Sequence, residues 1–490
     1  MKNTLLFIHI FLISSAIAIA QTYTTPNTGV TWTLDDIASN SPSTITVSGT
    51  NYSLLENLEI AANDTVIIDS DLTLSIDEDL LVTVFGTFTV NSNAVTITAI
   101  NQTAPYEGFR FEEFSEIEIR NATIEYGGGL RVLTEDFIID NSDISNNVAG
   151  GATTGAVISL SRGMPEITNN TISFNELPAV SSAANSQVSA LIANNIIEGN
   201  NQSNSNRPQI NMGTTMAAEP LQILNNTILG DRALDMVGGI AVANLVGGSI
   251  NVIIDDNVIT DNRYGMTIIG PSDSALVRNN IIEDNDSQGD PFLGGSGISL
   301  NTSTAGNPVI ASGNEFRRNL WGITVIGSAS INLGDDVDNP GENIFSENGN
   351  GGEVFALYNN TALPITAKHN CWIEGQQSTA AQVEDVIFHM VDDGTLGEVV
   401  FDPFICGILD VAENSLTDFS FYPNPATDRI TFNNNFSFEK IEVFGLQGDL
   451  LLSEEVMQGE NSLPINLSSG MYLVIFSNNS ENVTVKMLVE

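Results

Sequence analysis

The sequence predicts an all-β chain: a long stack of coils built from short strands, closed by caps, followed by a small C-terminal β-sandwich. Three observations point there. A six-residue unit, Asn-x-Ile-x-x-Asn, recurs through the middle of the chain. Its copies start 20 to 34 residues apart, too unevenly for helices of fixed length but suited to short strands joined by loops of changing size. Residues 418–490 then change character, with apolar and polar residues alternating in short runs between turn residues.

Length and composition bound the answer. The 490 residues suffice for about three domains or for one long repetitive one. With 42% hydrophobic and only 15% charged residues, the chain can bury a large core. Acidic residues number 60 against 15 basic ones, giving a net charge of −45. That sign argues against nucleic acid, whose phosphates need clustered Lys and Arg, and against anionic membrane surfaces. Two cysteines exclude a disulfide-dense scaffold and a four-Cys zinc site. Three histidines, one near the N-terminus, leave little room for imidazole catalysis.

Taken in order, residues 1–20 read as a cleavable export signal. Lys2 gives the positive start, residues 5–13 a short apolar run, and Ala18-Ile19-Ala20 the small-x-small cleavage site before Gln21. The run is shorter than the roughly 20 apolar residues that span a bilayer, and no later stretch is long and apolar enough. Between residues 43 and 100, alternation without the Asn unit predicts the first coils and an end cap. Full units start at Asn170, Asn195, Asn226, Asn257, Asn280, Asn314 and Asn343, with weaker copies at Ala122 and Ser142. Each coil adds a Gly-Ile-x-Val type run (239–242, 265–269, 297–300, 322–326) and a third run before the next unit. Alternation turns every second side chain inward. Stacking aligns Ile124, Ile144, Ile172, Ile197, Ile228, Ile259, Ile282, Phe316 and Phe345 in one buried column, about 4.8 Å per step. The two Asn columns are placed at the bends, because Asn tolerates left-handed backbone. Their stacked amides can also bond to one another. A cap is expected after the last coil, with an amphipathic helix over 379–390 and a final strand at 397–401. Cys371 and Cys406, the only pair, are expected to form a disulfide across it, two free thiols being the alternative.

This pattern resembles the right-handed parallel β-helix proteins of the pectin-lyase-like superfamily over residues 35–405, and Ala367-Lys368-His369-Asn370-Cys371-Trp372 resembles their closing segment. The resemblance implies the fold and leaves the activity open, since that fold hosts lyases, hydrolases, esterases and adhesins. Residues 418–490 resemble the type A C-terminal sorting domain of the type IX secretion system of Bacteroidetes. The matching segments are Phe421-Tyr422-Pro423-Asn424-Pro425-Ala426-Thr427-Asp428, Leu446-Gln447-Gly448, residues 469–474 and residues 485–489. The resemblance implies the type IX machinery as partner, export through the periplasm, and a secreted or outer-membrane-surface destination. Domains are therefore expected at 1–20 (signal), 21–406 (capped β-helix), 407–417 (linker) and 418–490 (sorting domain).

Candidate chemistry lies on the outer wall. Position five of the unit gives Asp261, Asp284, Arg318 and Glu347 on successive coils, and position four adds Glu283 and Arg317. Neighbouring carboxylates could bind Ca²⁺ or share a proton for acid/base work, and an Arg could neutralise a uronate carboxylate. A solvated salt-bridge ladder is the competing reading. Tyr264 and Trp321 are placed to stack on sugar rings. Asp335, Asp336 and Asp338 form a second candidate Ca²⁺ loop, without EF-hand spacing. Polygalacturonase-like hydrolases carry Gly-His-Gly and Arg-Ile-Lys segments that do not occur here, and the only Lys of the array is Lys368. The acidic surface repels polyuronates unless calcium bridges them. The expectation is a secreted or surface-attached protein that binds polysaccharide or another surface ligand. The alternative is a polysaccharide lyase or glycoside hydrolase acting at Asp261, Asp284 and Arg318. A flat Thr-rich binding face is disfavoured, because Ala241, Ser299 and Ala356 are expected to interrupt the column of Thr267 and Thr324.

Overall fold

The computed structural model describes residues 21–153, 155–406, 421–434, 438–445, 449–457, 459–478 and 482–489. The expected signal (1–20), the linker (407–417) and the Leu446-Gln447-Gly448 turn lie outside the described residues. The chain divides into two compact units, residues 1–406 and 407–490.

The first unit is a parallel β-helix with three walls. Wall one is a parallel sheet of 14 strands, from Thr22–Thr24 to Ile387–Phe388, and contains the Gly-Ile runs. Wall two holds the third run of each coil, and wall three holds the Asn unit. Two long strands, Thr87–Ala99 and Glu116–Glu125, run round the corner between walls two and three. The register bears out the predicted column. Ile124 pairs with Ile144, then Ile172, Ile197, Ile228, Ile259, Ile282, Phe316 and Phe345, rung over rung. All nine are at most 1% exposed, so each coil buries its unit against its neighbours. The column extends to the closing segment: Phe316 stacks on Phe345 at 5.0 Å and Phe345 on Trp372 at 4.9 Å, nearly parallel.

The Asn columns form the expected amide-to-amide bonds but do not themselves turn the chain. The left-handed residues are their neighbours. Asn169, Asn194, Asn225, Asp256 and Asn279 precede the first Asn, and Asp261, Asp284, Arg318 and Glu347 precede the second, all with φ between 54° and 60° except Arg318 at 53°. The Asn residues themselves point inward and form two ladders. From Asn170 through Asn195, Asn226, Asn257, Asn280, Asn314 and Asn343 to Asn370, each Nδ2 donates to the next Oδ1 at 2.8–3.1 Å. Each also donates to a backbone carbonyl of the preceding coil, for example Asn280 to Ile254 at 3.0 Å. The second ladder links Asn147, Asn175 and Asn200, then Asn262, Asn285, Asn319 and Asn348. The coil between lacks its Asn because Asp231 stands there. Gln209 fills the gap: its Oε1 accepts from Asn200 Nδ2 at 3.2 Å and its Nε2 donates to Asn262 Oδ1 at 3.1 Å. Buried amides are thereby satisfied without water.

Both ends are covered. A helix missed in the sequence reading, Leu34–Asn40, starts from a Thr33/Asp36 capping box and buries Leu34 and Ile37 at the first coil. Asp64 ties down the chain before it, accepting from the amides of Asn27 (2.7 Å), Thr28 (2.9 Å), Gly29 (2.9 Å) and Val30 (3.2 Å). Burial alone would raise its pKa, but the bonds from Thr25 and these amides outweigh it and hold the carboxyl below its usual 3.8. A depressed folded pKa gives stability that is complete above the unfolded value and is lost as pH falls through the folded one. Thermal unfolding of Asp64→Asn should therefore start from a lower midpoint at pH 7 and fall less steeply than the wild type below about pH 5. Parallel acid limbs for the two proteins would refute this role. At the other end, the expected helix over 379–390 is only Ala380–Glu384. Val383 and Ile387 are buried, but Ile387 is already in the last wall-one strand and Met390 is 42% exposed. The apolar spacing there serves a helix and then a strand. The final wall-two strand is Val399–Val400. Cys371 and Cys406 are disulfide-bonded in the cap.

The second unit packs a three-stranded antiparallel sheet (Phe421–Tyr422, Arg429–Asn434, Gly459–Pro464) with a four-stranded one. The latter runs Leu450–Glu455, Lys440–Phe444, Gly470–Ser477, Asn482–Val489. Ile430, Phe432, Ile441, Val443, Val474, Phe476 and Met487 form its core. No described helix is long and apolar enough to cross a membrane.

Candidate functional site

Position five does line up on the outside of the corner after wall three, with its left-handed backbone aiming the side chains out. There the charges meet and neutralise one another. Arg318 donates to both oxygens of Asp284 at 2.8 and 2.7 Å and to Glu283 at 2.9 Å. Arg232, from the preceding coil, spans Asp261 at 2.8 Å and Asp286 at 2.6 Å. Arg317 forks onto Glu374 at 2.8 and 2.7 Å and also pairs with Glu315. Hydrogen bonds to these acids, Asp284 for Arg318 and Glu374 for Arg317, raise both guanidinium pKa values. The column is a cross-linked ion-pair strip, and its arginines have their acids already.

The Asp335 loop is similarly occupied. The Asp335 carboxylate accepts from Asn332 Nδ2 at 2.5 Å and from the amides of Val337, Asp338 and Asn339 at 2.7–3.2 Å, which depress its pKa strongly. Asp336 turns the other way, to Lys368 and His369. Asp335 closes its own turn and Asp336 faces the cap. Among the described residues, no group of three or more His, Cys, Asp or Glu side chains is arranged to hold a metal ion.

Tyr264 and Trp321 lead to a different place. Both line a cleft of about 640 Å³ on the outer face of wall one. Its floor is two outward columns crossing four coils. One is Thr267, Ser299, Thr324 and Tyr358; the other is Ile269, Asn301, Ile326 and Asn360. Ala241 continues the first column below Thr267. Ala356 does not belong to it, contrary to expectation. Ala356 is buried, and the register puts Tyr358 opposite Thr324. The count slipped because the loop before that strand carries its own small hairpin, Gly349–Asn350 with Glu353–Val354.

An aromatic rim stands at one end. Trp321 lies 4.7 Å from Phe355 and 5.0 Å from Tyr358, and Tyr358 stacks on Phe388 at 4.6 Å. Trp321 Nε1 donates to the Pro291 carbonyl at 3.0 Å, which fixes the indole against the lip formed by residues 291–294. Arg263, 8% exposed, clasps that lip: its Nε donates to the Leu293 carbonyl at 2.8 Å and its Nη1 to Asn206 Oδ1 at 2.5 Å. Phe292 crowns the lip, 93% exposed. Tyr264 lies over Gly238, where a β-carbon would come within 2.2 Å of the ring, so only glycine admits it. Burial pushes the Tyr264 phenol up to about 12, with Arg263 pulling against it, so the hydroxyl stays protonated at neutral pH. Ring faces, hydroxyls, amides and one guanidinium make up the polar and aromatic lining. Carboxylates, imidazoles and ammonium groups are not among its described residues.

The structure thus separates the candidates. Tyr264 and Trp321 share a cleft; Asp261, Glu283, Asp284, Arg317 and Arg318 lie in the ion-pair strip outside its lining. Sequence reasoning missed Tyr358, Asn301, Asn360 and the Arg263 clasp. The signal for the lip was the long interval between Asn285 and the next Gly-Ile run at Gly297.

Comparison with known families adds two findings. Residues 155–337 match the family model described as the right handed beta helix region. Residues 420–490 match the one described as the secretion system C-terminal sorting domain. Searches of curated proteins and of solved structures gave no match. The sorting domain indicates handling by type IX secretion machinery and a secreted or cell-surface location.

Proposed function

We propose that this right-handed β-helix protein, exported by means of its C-terminal sorting domain, binds an extracellular glycan in the wall-one cleft without cleaving it. The observation that carries this reading is the cleft lining: Trp321, Tyr264 and Tyr358 beside a floor of hydroxyls and side-chain amides. Sugars present apolar ring faces edged with hydroxyls, and a few oriented polar groups among aromatic rings suit them. Bond cleavage needs a positioned acid, base or nucleophile. The candidates expected from the sequence, Asp261 and Asp284, lie outside the lining and are engaged with Arg232 and Arg318.

Export through the periplasm and removal of residues 1–20 belong to the same proposal. Ca²⁺ dependence is part of the test. The full chain, titrated by calorimetry against a polysaccharide panel with and without Ca²⁺, should bind at least one member. Trp321→Ala should weaken that binding about thirtyfold, the effect of removing a central aromatic anchor worth about 2 kcal/mol. Trp321→Phe should restore part of it. Unchanged affinity in Trp321→Ala would move the ligand elsewhere. New reducing ends or unsaturated uronate absorbance, lost in Asp284→Ala, would replace binding with lyase or hydrolase action at the ion-pair strip.

A further inference from the structure

We infer that the cleft takes a neutral, extended β-(1→4)-linked glycan lying along the coil axis, one ring per coil, and reads it in steps of two rings. The inference rests on the glycan reading above and deepens it.

The floor has a period of its own. Successive coils are one strand spacing apart, about 4.8 Å. Along the second floor column the residues alternate: Ile269, Asn301, Ile326, Asn360. The same amide therefore recurs every second coil, at about 9.6 Å. Both Asn side chains are exposed, and neither makes a side-chain hydrogen bond among the described residues. The ladder Asn residues are bonded to one another, the buried Asn359 donates to the Leu363 and Gly397 carbonyls, and Asn206 accepts from Arg263, so Asn301 and Asn360 are the amides of the cleft lining left for a ligand. In the neighbouring column Ser299 presents its hydroxyl, flanked by Thr267, which donates to the Ser299 carbonyl at 3.0 Å, and by Thr324, which is buried and bonded to Ser296 at 3.0 Å, and the column ends at the Tyr358 ring.

An extended β-(1→4) chain has matching symmetry. Its rise per ring is close to one strand spacing, and successive rings are turned over. The same edge thus returns every second ring, where an Asn can bond it, while the intervening ring presents its opposite edge to Ile269 or Ile326. α-(1→4)-Glucans and β-(1→3)-glucans coil instead and lose this register. Charge selects among β-(1→4) chains. The lining holds no ammonium or imidazole group among its described residues, Arg263 is occupied by Leu293 and Asn206, and a net charge of −45 repels polyuronates.

The test uses the full chain and calorimetry with cello-, manno- and xylo-oligosaccharides of two to six rings. Maltohexaose and laminarihexaose serve as linkage controls. At least one β-(1→4) series should tighten about tenfold when the ligand grows from two rings to the three that reach both amides, as one added hydrogen-bonded contact would give. Asn301→Ala and Asn360→Ala should each cost the hexaose about tenfold while leaving the disaccharide nearly unchanged. Both positions are exposed, and an unaltered melting curve will confirm the fold. Equal affinity for maltohexaose or laminarihexaose, or wild-type binding by both Asn variants, overturns this inference alone. Failure of every glycan, short and long, overturns the underlying reading instead.

Discussion

Gln209→Leu should lower the stability of the coil stack by about 3–5 kcal/mol, although the position belongs to no repeat unit. Gln209 is fully buried and mends the one rung where Asp231 replaces the expected Asn. Without its amide, the backbone N–H and Nδ2 of Asn200 lose their acceptor, and the Leu229 carbonyl and Asn262 Oδ1 lose a donor. Each stranded buried group costs on the order of 1–3 kcal/mol, and leucine supplies no replacement. A stacked array distributes such damage locally, so the two sides of the broken rung should uncouple. Urea unfolding followed by tryptophan fluorescence can see this, because Trp32 lies in the first coil whereas Trp321 and Trp372 lie beyond the rung. The expected trace has a lower midpoint and a second phase. Gln222→Leu, on the outward face of wall two, is the control and should unfold like the wild type. Equal stability of the Gln209 variant would mean the ladder is ornament.

Cys371→Ser should be the next most damaging change. The bond to Cys406 closes a loop of 35 residues, worth about 4 kcal/mol in chain-entropy terms. That loop contains the Ala380–Glu384 helix and the final strands of walls one and two, which together cover the last coil. Releasing it bares strand edges at Leu357–Thr361 and Ile365–Ala367 and loosens Trp372 from Phe345. Hydrogen exchange should rise across residues 373–406 in the variant, and in the wild type under reductant, while residues 170–300 keep their protection. Uniform exchange in all three samples would show that the cap holds without the bond.

How much of this was legible beforehand follows from what repeats. The Ile column could be read because each coil must bury the same position, so the signal is restated nine times. The Asn files were legible as amide ladders, since like residues stacked at one position can bond along the axis; what was not legible is that they leave the turning to their neighbours. A single Asn looks like a turn former, and only the third dimension shows that its left-handed neighbour turns the chain while it faces inward. The cleft was half visible. Tyr264 and Trp321 stand at the starts of recognisable strands, but Tyr358 follows a hairpin that shifts the count, and the Arg263 clasp depends on Asn206, 57 residues earlier. The Asp261, Asp284 and Arg318 column was located correctly on the outer wall. Its ion pairs match the salt-bridge ladder weighed for it, but Arg232 was not foreseen, because it sits outside the unit and its reach across to Asp261 and Asp286 leaves no trace in the spacing.

The interior amide files have one more consequence. Every tread hands its unsatisfied donor upward to a copy of itself, so nothing within the shaft sets where it ends. Overall height is decided only by the lids, and a gene that duplicated or dropped a complete turn would still yield a closed tower, with a groove lengthened or shortened by one storey.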